Sequence, residues 1–512
     1  MLALALLGLT ACSSDDGDGG DSGDSPSSSD TAQPQPPKRP ARIGPAPVSV
    51  PSVQKWKPVR GPAWKPTKYT RVITEDDSLS GEAKLLASEL KVDAAKGKAR
   101  PGDVELKRGG DGPRESYELA SRNGQIRITA SSDAGVFYGT RTLLQTYRAQ
   151  GSFSDGTVRD RPDRPQRGFM LDIARKHFPA EWIEDRIRQL GDLKMNQLQL
   201  HLSDDQAFRI ESETHPEVVS EPHLTKAQVR RIIKLAASRH IEVIPEIDSP
   251  GHLGAVLKAH PDLQLRSASG NVARGAIDIG KPKAAKIVDD LLGEYAELFP
   301  GKYAHVGGDE YQALATEDPA SSYPGLAKLA RERHGSGGDI QDLATEWINK
   351  RAAVVAKKGK TPQVWNDGMH RGGAVKPSRD REVTYWTGKE IGAREPEEYL
   401  KEGWKVVNLN DEYLYYVLGE PNDFSYPTGQ RIFESWTPAV LRGSSAVPAR
   451  WAGRDRIVGG RFAVWCDLAG AQSVGRVAKG IRLPLAATAQ KLWDPGVSGS
   501  WSAFVKRLDE VG

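Results

Sequence analysis

The sequence predicts an α/β fold in which a (β/α)8 TIM barrel follows a small α/β domain. From about residue 165 onward, short apolar runs alternate with amphipathic stretches eight times, the pattern of successive β/α units. Carboxylates, histidines and aromatics follow these runs, where a barrel of parallel strands carries its functional residues. The chain has 512 residues, too many for one small core and suited to two domains, one of them large.

The elements follow in order. Within residues 1–12, the run from Leu2 to Leu9 is apolar and too short to span a bilayer. It reads as the apolar part of a signal peptide, although no Lys or Arg precedes it. It ends in Leu9-Thr10-Ala11-Cys12, which resembles a bacterial lipobox. In that pattern the leader is cut before the cysteine, and the thiol carries a lipid. The expected location is the extracellular face of a bacterial membrane, lipid-anchored, or secreted, with the membrane touched only through the anchor. Residues 13–45 are Ser, Asp, Gly and Pro with almost no apolar content. Such a segment buries too little surface to offset its ordering entropy and reads as a flexible stalk.

Residues 46–160 read as the small α/β domain. Tyr117-Glu118-Leu119 and Ile126-Arg127-Ile128 alternate in character around Asn123-Gly124, a strong hairpin signal. Ser132-Asp133 then caps a helix that places Val136, Phe137, Thr140, Leu143, Leu144 and Tyr147 at helical spacing. This domain is expected to be scaffold. Residues 161–512 carry the barrel, with strands expected at 168–173, 197–202, 242–247, 303–307, 363–365, 383–386, 405–409 and 461–465. Helical patterns lie between most of them, among them 182–193, 226–238 and 284–298. A doubly wound open sheet alternates in the same way. No Gly-rich phosphate fingerprint follows the first run, which counts against a dinucleotide fold.

Composition narrows the function. Hydrophobic residues make up 38% and charged residues 27%, as in a globular body. The net charge of +4 is spread along the chain without a basic cluster, so nucleic acid is not an expected partner. The two cysteines, Cys12 and Cys466, make no disulfide framework, and no Cys/His cluster has zinc spacing. Neither cofactor nor metal is expected, and Cys466 reads as a small buried filler.

The residues at the strand ends are specific. The first run gives Asp172 and Arg175, the second His201 and Asp204-Asp205, the third Glu246, Asp248 and His252. The fourth gives His305 and Gly307-Gly308-Asp309-Glu310, the fifth Trp365-Asn366-Asp367, and the sixth Trp386. The seventh leads to Asp411, Tyr413 and Tyr415, and the eighth gives Trp465-Cys466-Asp467. Each alone reads as a cap or surface charge; eight together read as a site. Aromatic rings beside carboxylates suit sugars, whose faces stack and whose hydroxyls donate.

His305-Val306-Gly307-Gly308-Asp309-Glu310 resembles the catalytic signature of family 20 glycoside hydrolases, the β-N-acetylhexosaminidases. The similarity continues in Arg167–Asp172 with Arg175, in Leu200–Gln206 and in Pro245–His252. It runs from about residue 50 to the C-terminus and includes a small α/β domain before the barrel. Most retaining glycosidases use a second carboxylate as nucleophile, and this family uses the substrate instead. The resemblance implies that the 2-acetamido oxygen attacks the anomeric carbon to give an oxazolinium ion. Glu310 would protonate the leaving oxygen and later activate water, for which it needs a raised pKa. Asp309 would orient the acetamido group. His252 and Asp204 would form a relay to the acid. Arg175, with His201 beside it, would hold sugar hydroxyls; Trp365, Trp386 and Trp465 would wall the acetamido pocket, and Tyr413 would hydrogen-bond its oxygen.

Three positions depart from the family pattern. Ala207-Phe208 stands where Gly-Trp is common, Tyr415 where Asp or Asn follows the tyrosine, and Asp467 where many members have Glu. The last two positions usually bind the far hydroxyls of the terminal sugar. The alternatives to simple release of terminal GlcNAc or GalNAc are therefore a lacto-N-biosidase or a poly-N-acetylglucosamine hydrolase on the same fold. A non-catalytic sugar-binding lipoprotein is the alternative of another class, and a metal-dependent deacetylase a further one.

Overall fold

The computed structural model describes residues 41–390 and 393–512. Cys12, the leader and residues 13–40 of the stalk lie outside the described residues. Eight strands form the barrel: β1 (Gln166–Asp172), β2 (Gln197–His201), β3 (Glu242–Glu246), β4 (Tyr303–His305), β5 (Thr361–Trp365), β6 (Glu382–Tyr385), β7 (Val406–Asn408) and β8 (Ile457–Trp465). They pair in parallel in chain order, and β7–β8 and β8–β1 pairings close the ring. The open doubly wound sheet is thereby excluded.

The expected runs match these strands, except that β8 starts at Ile457 rather than 461. Gly459-Gly460 hid the earlier part. A Cβ on Gly459 would meet the Gln166 carbonyl at 1.8 Å, so only glycine lets β8 lie against β1 there. The barrel sheet carries one strand beyond the eight expected: Tyr415–Val417 lies parallel to the C-terminal end of β8, with Tyr415 opposite Ala463 and Val417 opposite Trp465.

Helices cover the ring by burying one apolar stripe each. Lys226–Ala237 starts at a capping box of Thr225 and Gln228, and buries Val229, Ile232 and Ala236. The main core lies between strands and helices, and a second apolar cluster of Met170, Trp365, Leu409, Tyr415 and Trp465 fills the upper barrel. Among the described residues, no helix is long and apolar enough to cross a membrane.

The preceding domain is a seven-stranded sheet in the order Lys55–Pro58, Gly156–Asp160, Tyr117–Arg122, Gln125–Ala130, Val104–Arg108, Arg71–Thr74, Asp93–Lys96. Asn123 and Gly124 make the hairpin turn, both at positive φ, as a tight turn with the strands' twist requires. Ser132 caps helix Asp133–Gln150, accepting from the Gly135 N–H. Buried charges fasten this domain to the barrel. Arg167 at the start of β1 pairs with Glu115 at 2.9 Å. Lys194 donates to Thr142 Oγ1 at 2.7 Å and Tyr117 Oη at 3.0 Å, and burial lowers its pKa to about 8.

Candidate active site

The site is built upward from Glu246 at the end of β3. Its Oε1 accepts from Trp365 Nε1 at 2.8 Å and its Oε2 from Gln199 Nε2 at 2.7 Å. Its Oε1 also lies 3.3 Å from His201 Nδ1. Burial opposes its ionisation, but His201 and His305 outweigh it and hold the carboxyl down to about 2. Burial likewise disfavours charge on His201, yet Glu246 and Asp204 push its pKa up to about 10. The floor of the barrel mouth is thus a buried ion pair that fixes Trp365 and His201.

One layer higher, Asp204 gathers three cations. Its Oδ2 lies 2.8 Å from His201 Nε2 and 2.8 Å from Arg175 Nη2, and its Oδ1 lies 3.3 Å from His252 Nδ1. Burial raises its pKa, but His252, His201 and Arg175 hold the carboxyl well below the usual range. Arg175 is also held by Asp172 at 3.0 Å and sits over the Trp465 ring at 5.3 Å. Asp205, next in sequence, accepts the Gly254 N–H at 3.0 Å and ties the loop after β2 to the loop after β3.

The loop after β4 presents the adjacent acids. Gly307 and Gly308 both have positive φ, and a Cβ on Gly307 would meet Asp248 Oδ1 at 1.6 Å. The Gly308 N–H donates to that same oxygen at 2.9 Å. The glycine pair therefore brings Asp309 against Asp248. Among the described residues, no N–H or O–H donor reaches Asp248 Oδ2 or Asp309 Oδ1. Burial, then the facing Asp248 carboxyl, drives the Asp309 pKa well above the usual range, and burial also raises Asp248. A proton shared between them satisfies both. Glu310 and His252 occupy the left-handed region at φ 49° and 57°, at a cost on the order of 1–3 kcal/mol each. The Glu310 N–H is caught by Asp367 Oδ2 at 3.0 Å.

Glu310 does not carry the raised pKa that the sequence leads one to expect. His252 Nε2 stands 3.2 Å from Glu310 Oε2, and this contact lowers the Glu310 pKa despite burial. Burial disfavours charge on His252, but Asp204 and Asp309 outweigh it and raise its pKa well above the ordinary histidine value. The two shifts run in opposite directions, favouring charge on both His252 and Glu310. Asp248, His252 and Asp309 also place three ligand-type atoms within 4.8 Å of one another. The nitrogens of His252 face Asp204 and Glu310, and a cationic ring repels a second cation.

Aromatic rings form the wall. Trp386 stacks on Tyr415 with centroids 5.7 Å apart and planes 5° apart, and Tyr415 meets Trp465 at 5.9 Å and Phe424 at 6.3 Å. Trp386 Nε1 donates to Asp367 Oδ1 at 2.9 Å.

Of the residues singled out from the sequence, Arg175, His201, His252, Asp309, Glu310, Trp386, Tyr415, Trp465 and Asp467 line one cavity. Asp204 and Trp365 are buried directly behind them, held by the contacts above. Tyr413 is placed differently. It lies in the helical turn Asp411–Leu414, buried in the outer core with the Arg431 guanidinium 4.3 Å above its ring, and it does not line the cavity. The strand that follows turns alternate side chains to one side, so Tyr415 and Val417 face the cavity, while Tyr416 stacks on Tyr426 at 4.3 Å. The position two residues beyond the cavity tyrosine is therefore Val417, not Tyr415. Phe208 packs on Tyr295 in the outer core, clear of the cavity. Cys466 is buried, and its N–H donates to Asp172 Oδ2 at 3.0 Å.

Among the residues that sequence reasoning did not assign are Asp248 and Asp367, at the site's acids, and, lining the cavity, Thr387, Lys389, Glu390, Asp411, Val417 and the segment Asn422-Asp423-Phe424. Asp248 and Asp367 stand at strand ends like the assigned acids, so a signal was present. The segment 422–424 lies between elements and carries none.

The fold and site define a closed parallel barrel whose C-terminal mouth holds paired carboxylates under a cage of aromatic rings, an arrangement of the kind that packs on and hydrogen-bonds sugars. Comparison with known proteins narrows it. The pattern described as glycosyl hydrolase family 20, catalytic domain, matches residues 165–495, and that of domain 2 of the same family matches residues 47–161. The chain belongs to glycosyl hydrolase family 20. It is 28% identical over 479 residues to a lacto-N-biosidase of Bifidobacterium bifidum, covering 91% of this chain and 42% of that protein. It is 30% identical over 308 residues to a β-hexosaminidase of Porphyromonas gingivalis, covering 54% of this chain and 38% of that protein. The chain thus spans about two-fifths of the length of these two relatives. Among solved structures, the β-N-acetylhexosaminidase of Streptomyces coelicolor superposes with a TM-score of 0.72 at 25% identity, covering 92% of this chain and 96% of that one. A Streptomyces plicatus β-hexosaminidase variant in complex with its product GlcNAc gives 0.72 at 26%, covering 92% and 95%.

Proposed function

We propose that this chain is a retaining glycosidase that cleaves β-linked N-acetylhexosamine by substrate-assisted catalysis, with Asp309 and Glu310 as the reacting pair. The observation that carries this reading is the contrast within the pair. Asp309 is buried beside the aromatic cage, while the Glu310 side chain is 37% exposed at the cavity. Asp309 is suited to receive the acetamido N–H as the acetamido oxygen attacks the anomeric carbon. The proton it shares with Asp248 then stays on Asp248, and the charge on Asp309 offsets that of the oxazolinium ion. Glu310 receives its proton from His252 when a sugar covers the site and removes water from the carboxylate. It passes that proton to the leaving oxygen and then activates water from the same side. Asp204 stabilises the His252 charge and orients the ring. Trp365, Trp386 and Trp465 shape the acetamido pocket. Tyr415 replaces Tyr413 as the residue whose hydroxyl meets the acetamido oxygen, and Arg175 holds sugar hydroxyls with the N–H groups its two aspartates leave.

A second reading concerns how many sugars leave. Val417 stands where an acid commonly takes the far hydroxyls of a terminal sugar, and Asn422, Asp423 and Phe424 extend the cavity on that side. With the likeness to a lacto-N-biosidase along 91% of this chain, this supports release of a disaccharide ending in GlcNAc. The test is hydrolysis of a chromogenic β-N-acetylglucosaminide and a β-lacto-N-bioside in parallel, with Glu310→Gln beside each. Activity on either that Glu310→Gln abolishes supports the mechanism. Unchanged turnover in that variant refutes it, and the preferred substrate decides between the readings. We also propose export and lipid tethering through Cys12, supported by Leu9-Thr10-Ala11-Cys12; mass spectrometry of the mature N-terminus tests it.

A further inference from the structure

A cluster of side chains outside the sugar cavity has the make-up of a metal centre. His215 and Glu217 lie beyond β2, flanking the start of the short helical turn Pro216–Val218. His260 lies beyond β3, where helix Gly254–Ala259 ends. The fold brings them together across 45 residues of chain. Glu217 Oε1 sits 2.9 Å from His215 Nδ1 and 2.9 Å from His260 Nε2, and the three atoms lie within 4.8 Å of one another. None of the three residues lines the sugar cavity.

The surroundings are arranged as a metal site needs. His215 Nε2 faces Asp290 Oδ2 at 3.2 Å. Without an ion the ring bridges the two carboxylates, Nδ1 donating to Glu217 and Nε2 to Asp290; a metal ion that displaces the Nδ1 proton would take that lone pair while Nε2 still donates to Asp290. A carboxylate behind a histidine in this way fixes the orientation of the ring and the tautomer it offers a metal ion. The backbone is fixed as well. The His215 N–H donates to Ser212 Oγ at 3.0 Å, and Glu294 holds Ser212 and the Glu213 N–H at 2.8 Å each. The His260 N–H closes on the Val256 carbonyl at 3.0 Å. Both histidine side chains are largely buried at 15% and 16% exposure, while Glu217, at 43%, leaves one side open to water.

We propose that His215, Glu217 and His260 bind a divalent transition-metal ion, zinc first among them, with water in the fourth position. Two imidazoles and one carboxylate suit zinc rather than calcium or magnesium. Tetrahedral zinc with bonds of about 2.0–2.1 Å separates its ligand atoms by about 3.3 Å, so each histidine's 2.9 Å contact with Glu217 needs to open by only a few tenths of an ångström. The ion clamps the loop after β2, which carries Asp204, to the segment after β3, which carries His252. It does not touch substrate.

The test uses the full chain without a histidine tag, stripped by chelator and titrated with zinc chloride in a calorimeter. The expected result is one ion per chain and a melting temperature raised by a few degrees at saturation. His260→Ala and Glu217→Gln lose this binding, while their metal-free kcat/KM stays at the wild-type value. Asp290→Asn binds about 10–100-fold more weakly, and His252→Ala binds as the wild type does. Cobalt in place of zinc gives the visible absorption of a tetrahedral site, absent in Glu217→Gln. Absence of binding at micromolar zinc overturns the proposal. So does binding that survives both His260→Ala and Glu217→Gln, or that disappears in His252→Ala alone, because the ion then sits among Asp248, His252 and Asp309.

Discussion

Replacing Tyr415 by Phe tests which tyrosine serves the acetamido pocket. The ring would remain stacked on Trp386 and packed against Trp465 and Phe424, so the wall keeps its shape and only a hydroxyl is lost. Burial holds the Tyr415 phenol well above its ordinary pKa, so it is a neutral donor at any assay pH. Removing one donor aimed at charge that develops in the transition state costs about 10²–10³ in kcat, or about 3–4 kcal/mol. Tyr415→Phe is therefore expected to lose two to three decades in kcat with a small change in KM. Tyr413→Phe keeps a ring under Arg431 in the outer core and is expected to stay within about twofold, ~0.4 kcal/mol. Steady-state rates on the preferred chromogenic substrate, with melting curves to check the fold, decide the matter. If Tyr413→Phe loses more kcat than Tyr415→Phe, the placement of the pocket tyrosine is refuted.

Three further predictions follow from the same contacts. His252→Asn removes the cation that lowers Glu310 and stores the proton. The wild-type alkaline limb of kcat/KM should lie above pH 6.5, the ordinary histidine value, and the variant's should move acidward; an unmoved limb in the pH profile contradicts the relay. Glu246→Gln breaks a buried charge pair, at a cost of about 3–5 kcal/mol. The Glu246 contribution is complete above about pH 4.5 and fades as pH falls toward 2, because its folded pKa is depressed. The His201 contribution is complete below about pH 6.5 and fades as pH rises through 10, because its folded pKa is raised. Melting temperature against pH should therefore lose part of its alkaline slope in Glu246→Gln, and an identical slope would count against the pair. Val417→Asp restores an acid at the cavity edge and should favour the single-sugar substrate over the disaccharide by about tenfold, ~1.4 kcal/mol; parallel rates on the two substrates measure it.

Much of the site was legible because each strand end carries its own local signal. Gly307-Gly308-Asp309-Glu310, Asp204, His252 and Trp465 all follow apolar runs of the right length, and closure of the barrel turns eight such ends toward one mouth. The exchange of Tyr413 for Tyr415 shows where that logic stops. Both follow β7 by a few residues, and only the backbone decides that one sits in a helical turn and the other in a strand on β8. The direction of the Glu310 pKa was hidden from the sequence for a related reason. Burial argues for a neutral acid, but His252, 58 residues away in sequence, stands close enough to reverse the sign.

The sequence by itself determined the eight β/α units, the preceding domain, the family resemblance and most of the residues at the cavity, because periodicity and strand-end chemistry are local properties of the chain. Only the tertiary structure decided that the strands close into a ring, which carboxylates face one another, which tyrosine faces the cavity, and that His215, Glu217 and His260 converge. Those are distances between segments remote in sequence, and electrostatic coupling and metal ligation depend on distance in space.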